Sequence, residues 1–154
     1  MRLILSFLLV FLLGVTTGGY LFSRSLPRSF LALDQCDGQC LKRKDLLGLL
    51  ASAGIQHAPN WVPFVVAESK MCVAVRHPRP TSNYDIVFFP KRDVRHALEL
   101  ESQDVPYLVD CLALASEQVR KDHIRDYRLV SNGPALQDVT YFHFHIISND
   151  TPHG

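Results

Sequence analysis

Residues 3–22, LILSFLLVFLLGVTTGGYLF, carry no charged side chain. No other feature restricts the fold of this chain as severely. A helix rises ~1.5 Å per residue, so twenty residues reach about 30 Å, the thickness of a bilayer's hydrocarbon layer. A cleaved secretory signal has a shorter apolar region of ~7–15 residues and a small-x-small cleavage site. Here the small residues Gly18 and Gly19 are followed by Tyr20, Leu21 and Phe22. The run is therefore expected to be an uncleaved anchor, making this a single-pass membrane protein held through residues 3–22. The alternatives are a signal whose cleavage releases a secreted domain, and a buried core helix. Arg2 precedes the run, and Arg24 and Arg28 follow it, so the charge bias that orients membrane helices favours neither side.

Beyond that run the chain has the balance of a globular domain, with 47% hydrophobic and 20% charged residues overall and a formal net charge of +1. The longest basic stretch is Lys42-Arg43-Lys44, so no nucleic-acid partner is expected. Three parts are expected: an anchor or signal over 1–23, a linker with a short helix over 24–58, and one domain over 59–150. Cys36 and Cys40 flank Gly38; they would close a local disulfide in an oxidising compartment and stay thiols in a reducing one. Cys72, in an apolar strand, and Cys111, on the apolar side of a helix, read as small buried hydrophobes.

Patterning supplies the elements. Leu46, Leu47, Leu49 and Leu50 mark a short helix from Asp45 to Ala53, ended by Gly54. Two apolar, β-branched stretches, 63–69 and 70–77, read as a hairpin turning at Glu68-Ser69-Lys70. A strand over 85–89 stops at Pro90, and Asp93 is placed to cap a helical turn through Leu98. Residues 104–121 form the best helix: Asp104 suits the N-cap, Pro106 is tolerated in the first turn, and Leu108, Cys111, Leu112, Ala115 and Val119 recur at helical spacing. Strands over 127–132 and 138–147 close the chain. Strands in runs, not alternating with helices, indicate an α+β fold with an antiparallel sheet and a packed helix.

The last strand holds the chemistry. Alternation places Val139, Tyr141, His143, His145 and Ile147 on one face and Thr140, Phe142, Phe144 and Ile146 on the other. The second set is suited to pack under the helix, which leaves two imidazoles together on the opposite face. They read as a pair of satisfied surface histidines, as two zinc ligands lacking a third at motif spacing, or as a nucleophile with a neighbour that orients it or handles a proton.

The stretch GPALQDVTYFHFHII resembles the signature of the histidine-triad (HIT) family, Q-x-V-x-H-x-H-x-H followed by apolar residues. Gln137 and Val139 match, and the three histidine positions fall on Tyr141, His143 and His145. Upstream, CVAVRHPRPTSNYDIVFFPKRDV is similar to the family's N-terminal half: a strand, a Pro-containing loop, a second strand, then Pro-Lys. The resemblance spans roughly residues 60–150 and implies a HIT-like fold. It implies that His143 attacks the α-phosphorus of a nucleotide ester, anhydride or phosphoramidate to form a nucleotidyl-histidine. His145 would donate a hydrogen bond to a non-bridging oxygen, and Gln137 and Asn132 would contact the phosphates. Tyr141 would hold the first catalytic position as a hydrogen-bond donor. The family's ribose-binding acid falls on His77. A further family histidine falls on Asp85, whose carboxylate either orients His143 or begins the strand. A shifted register, with His145 as nucleophile and Ile147 third, loses the Q-x-V match. The resemblance also implies no metal or other cofactor, a nucleotide or nucleotide-conjugate substrate, and a homodimer. The function implied is a membrane-anchored nucleotidyl hydrolase or transferase. The replacements at Tyr141, Asp85 and His77 leave open a degenerate HIT domain that binds a nucleotide or protein without turnover.

Overall fold

Strand β3, Tyr84–Pro90, is buried nearly throughout, and its almost unbroken apolar sequence follows from being covered on both sides. The computed structural model describes residues 2–28 and 42–151. Helix α1 spans Arg2–Phe22 and helix α2 Arg43–His57. Strands β1 (Val65–Glu68) and β2 (Cys72–Arg76) precede β3. Helix α3 (Val105–Lys121) and strands β4 (Arg128–Val130) and β5 (Phe144–Ser148) follow. The sheet is antiparallel throughout, in the order β1-β2-β3-β5-β4, as its grouped strands predicted.

Alternation sorts the side chains onto two faces. Cys72, Ala74, Tyr84, Ile86, Phe88, Phe144 and Ile146 pack with Cys111, Leu114, Ala115 and Val119 of α3 in the main core. Each fully buried Val, Leu, Ile or Phe side chain among them contributes about 1.5–3 kcal/mol relative to exposure. On the other face Val73, Val75 and Tyr141 meet Ile55 of α2, with Ala51, Val62, Val65, Phe89 and Val139 around them. The face expected to lie away from the core therefore carries a second, smaller core under α2.

Cys72 and Cys111 are buried as expected, but their sulfurs are bonded to each other across a Cα–Cα distance of 5.1 Å. The disulfide staples α3 to the start of β2. The pair Cys36 and Cys40 lies outside the described residues. Helix α2 runs through Gly54 to His57; burial of Ile55 outweighs the roughly 1 kcal/mol that glycine costs inside a helix. Asp93 does not cap a turn. Its buried carboxylate accepts from the Leu26 amide (2.8 Å), the Arg28 guanidinium (2.8 Å) and the Ser52 hydroxyl (3.0 Å). The Asp104 side chain accepts from the Glu101 amide, one turn before α3, and does not cap the helix itself.

The final strand is shorter than expected. Residues 138–143 leave the sheet and cross to α2, where the Thr140 amide donates to the Lys44 carbonyl (3.0 Å) and the Thr140 hydroxyl to Asp45 (2.6 Å). Gly48 permits this crossing, because a Cβ there would lie 2.4 Å from the Thr140 carbonyl oxygen. The residues after α1 are docked to the domain: Ser25 shares a 2.8 Å hydrogen bond with Ser52, and Tyr20 of α1 packs its ring on His57 at 4.8 Å.

Candidate active site

The pairing of β3 with β5 sets Val87 opposite His145 and Asp85 opposite Ile147. Asp85, Val87 and His145 therefore share one face, with Asp85 diagonal to His145 and within side-chain reach. His143 precedes β5, and its ring lies 5.2 Å from that of His145 and 5.1 Å from Phe89. His77, just past β2, brings a third imidazole to 5.6 Å from His145. The two motif histidines thus meet on the face opposite the α3 core.

Hydrogen bonds set the tautomers. His143 Nδ1 sits 2.7 Å from the Tyr141 carbonyl oxygen. A carbonyl only accepts, so Nδ1 carries the proton and Nε2 keeps its lone pair. His143 is 6% exposed, and burial pushes its pKa down from the usual 6.5 to about 4. The neighbouring His145 and His77 push the same way, against the Tyr141 carbonyl. The ring is consequently neutral at pH 7, with an unprotonated nitrogen. Ser131 at the end of β4 fixes the backbone here, its hydroxyl donating to the His143 carbonyl at 2.9 Å. Nothing in the sequence pattern marks Ser131; only the β4–β5 pairing brings the two together.

Asp85 holds His145, not His143. His145 Nδ1–H donates to Asp85 Oδ1 at 2.9 Å, and Oδ2 lies 3.7 Å from His77 Nδ1. The reason is register: Asp85 faces the strand portion of the motif, and His143 lies beyond its paired end. An ionised carboxylate only accepts, so neutral His145 keeps its proton on Nδ1 and turns Nε2 outward as an acceptor. When protonated, it offers Nε2–H as a donor.

Tyr141 departs most from expectation. It is completely buried, and its hydroxyl donates to the Pro90 carbonyl at 2.6 Å. Burial, then Asp93 nearby, hold the phenol well above its usual pKa. A buried hydroxyl needs an acceptor, and Pro90 supplies one. The contribution of Tyr141 to the site is its main-chain carbonyl on His143. Gln137 is 5% exposed, and its amide nitrogen is buried with no hydrogen-bond partner among the described residues. Asn132 is half-buried in the loop after β4. Among the described residues, neither Gln137 nor Asn132 bonds an imidazole, and no three His, Cys, Asp or Glu side chains converge as a metal-ligand set.

Two open depressions lie elsewhere, beside Arg125, Asn149 and Asp150 and along Tyr127 and Ser148. Asp150 there accepts from the Arg125 and Asp126 amides, a turn-forming arrangement. The imidazole cluster is the better candidate because hydrogen bonds fix the tautomers of His143 and His145 and burial keeps His143 neutral.

A protein-family model described as HIT domain matches residues 60–152. The fold is similar to a HIT family hydrolase from Legionella pneumophila Philadelphia 1, with a TM-score of 0.57 and 24% identity over 63% of this chain and 91% of that one. A histidine triad protein from Clostridium difficile aligns with a TM-score of 0.55 and 17% identity, covering 65% and 92%. A hypothetical protein from Leishmania major gives 0.52 and 28%, covering 64% and 70%. No curated protein matches the chain.

Proposed function

The chain belongs to the HIT domain family, and we propose that it is a membrane-anchored nucleotidyl hydrolase or transferase with His143 as nucleophile. One observation carries this reading: a buried, neutral imidazole whose Nδ1–H is fixed on the Tyr141 carbonyl, leaving Nε2 with a free lone pair. Nε2 attacks the phosphorus of a nucleoside phosphate ester, anhydride or phosphoramidate. A P–N bond forms and the bond to the leaving group breaks. Water or another acceptor then attacks, the P–N bond breaks, and the imidazole is restored.

The Asp85–His145 pair handles the protons. Protonated His145 donates from Nε2 to the departing group; the neutral ring then takes a proton from the attacking water. Asp85 holds the ring in place through the Nδ1–H hydrogen bond. The Gln137 amide nitrogen, without a hydrogen-bond partner among the described residues, is a donor for a non-bridging phosphate oxygen.

The anchor is α1, whose stretch from Leu3 to Phe22 is apolar with none of it buried. The Cys72–Cys111 disulfide supports a domain facing an oxidising compartment, since such pairs stay reduced in the cytosol. Val105, Val109 and Leu112 leave an exposed apolar stripe on α3, which supports a homodimer. The test is turnover of a fluorescent adenosine phosphoramidate and a dinucleoside polyphosphate. Activity that disappears in His143→Ala is the expected result. Tight nucleotide binding with no product from the intact chain would assign a binding module instead.

A further inference from the structure

We propose that Trp61 and Phe64 form an interfacial aromatic patch that seats the domain on the bilayer surface beside the end of α1; this rests on reading α1 as the anchor. Trp61 is the chain's single tryptophan. It is 88% exposed, and Phe64 is 61% exposed. Two large aromatic rings left open within four residues are unusual for side chains that normally dominate cores and interfaces.

The backbone holds both outward. Trp61 ends a 3-10 turn, its amide donating to the Ala58 carbonyl at 2.9 Å. Phe64 has φ 64°, a left-handed conformation that a bulky residue rarely adopts. It is fixed there by its carbonyl, which accepts from the Arg76 amide at 2.9 Å. The flanking Val62 and Val65 pack with Val73 and Val75 in the smaller core, while Phe64 remains exposed.

Position identifies the occupant. The turn starts at Pro59, two residues after His57, and the His57 ring lies against Tyr20 in the last turn of α1. Asp93 binds the Leu26 amide and Arg28, and Ser25 binds Ser52, so the end of α1 is fastened to the domain and not merely tethered. A helix end at the membrane–water boundary thus brings the patch to the headgroup level, where tryptophan and tyrosine rings are favoured. Residues 59–67 carry no charge, so seating them there desolvates no ion.

Because Trp61 is the sole indole, its fluorescence in the full chain reports the patch directly. The protein is reconstituted in phosphatidylcholine vesicles brominated at shallow or deep acyl carbons, and retention is measured separately by flotation after an alkaline wash. Shallow bromines should quench emission by roughly twofold or more while aqueous iodide quenches little. A Trp61→Phe/Phe64→Trp chain should behave likewise. Retention without bromine quenching would overturn the patch and leave the anchor intact. Loss of the protein from the vesicles would overturn both. Quenching by added nucleotide, with bromine without effect, would assign Trp61 to a base and overturn the proposal.

Discussion

His143 concentrates the residue-scale chemistry. Its pKa near 4 lies below the usual 6.5, so as pH falls the unfolded chain takes up a proton before the native ring does. Stability is therefore lost as pH drops from about 6.5 toward 4, by up to about 3 kcal/mol for this group. A histidine Cε1–H NMR titration should place the His143 midpoint near pH 4; a midpoint near 6.5 would show an exposed ring. Asp85→Asn keeps the shape but can donate to His145 and so allows the wrong tautomer. We expect kcat to fall by ~10²–10⁴-fold with KM little changed, as read by steady-state kinetics. Tyr141→Phe strands the Pro90 carbonyl and should cost about 1–3 kcal/mol in denaturant unfolding. Activity per folded molecule should survive, because the hydroxyl is committed to the Pro90 carbonyl. Loss of turnover in a stable Tyr141→Phe chain would instead give the hydroxyl a direct role. The sharing of one face by His143 and His145 was legible in the sequence from the apolar Phe144 and Ile146 between and beyond them. The partner of Asp85 was not, because it depends on how two distant strands slide into register.

At the scale of elements, α2 is what shapes the site. It lies over the smaller core and receives the crossing of residues 138–141 at Gly48. Helix propensity alone favours Gly48→Ala by about 1 kcal/mol. The Cβ would meet the backbone of Thr140, so the clash should win, destabilising by about 1–3 kcal/mol. Thermal unfolding and kcat together check this, since moving Thr140 also moves the Tyr141 carbonyl that holds His143. The helix itself was visible from its leucines, but its true length was not. Gly54 looks like a stop, and only the packing of Ile55 against the sheet carries the helix past it. Likewise residues 138–143 have the alternation of a strand, and the pull of α2 on Thr140 removes them from the sheet.

Across the whole molecule, two links unite segments distant in the chain. The Cys72–Cys111 disulfide joins positions separated by 39 in the sequence, worth about 4 kcal/mol on a chain-entropy estimate. Cys111→Ser should lower stability by about that amount under oxidising conditions, and reductant should erase the difference between the two proteins. Both cysteines were legible as core positions, yet nothing in their sequence spacing says that they are neighbours. The second link is the buried Arg28–Asp93 ion pair, which joins the segment after α1 to the loop after β3. In the sequence Arg28 reads as one more charge in a polar linker, and only tertiary structure makes it a clamp.

The most direct test of the central claim is to trap the phosphoryl adduct by acid-quenching a single turnover and map it by mass spectrometry. A nucleotidyl group on the imidazole of His143 is the expected result. An adduct on His145, or product formed with no adduct on either ring under conditions where one should accumulate, would contradict it.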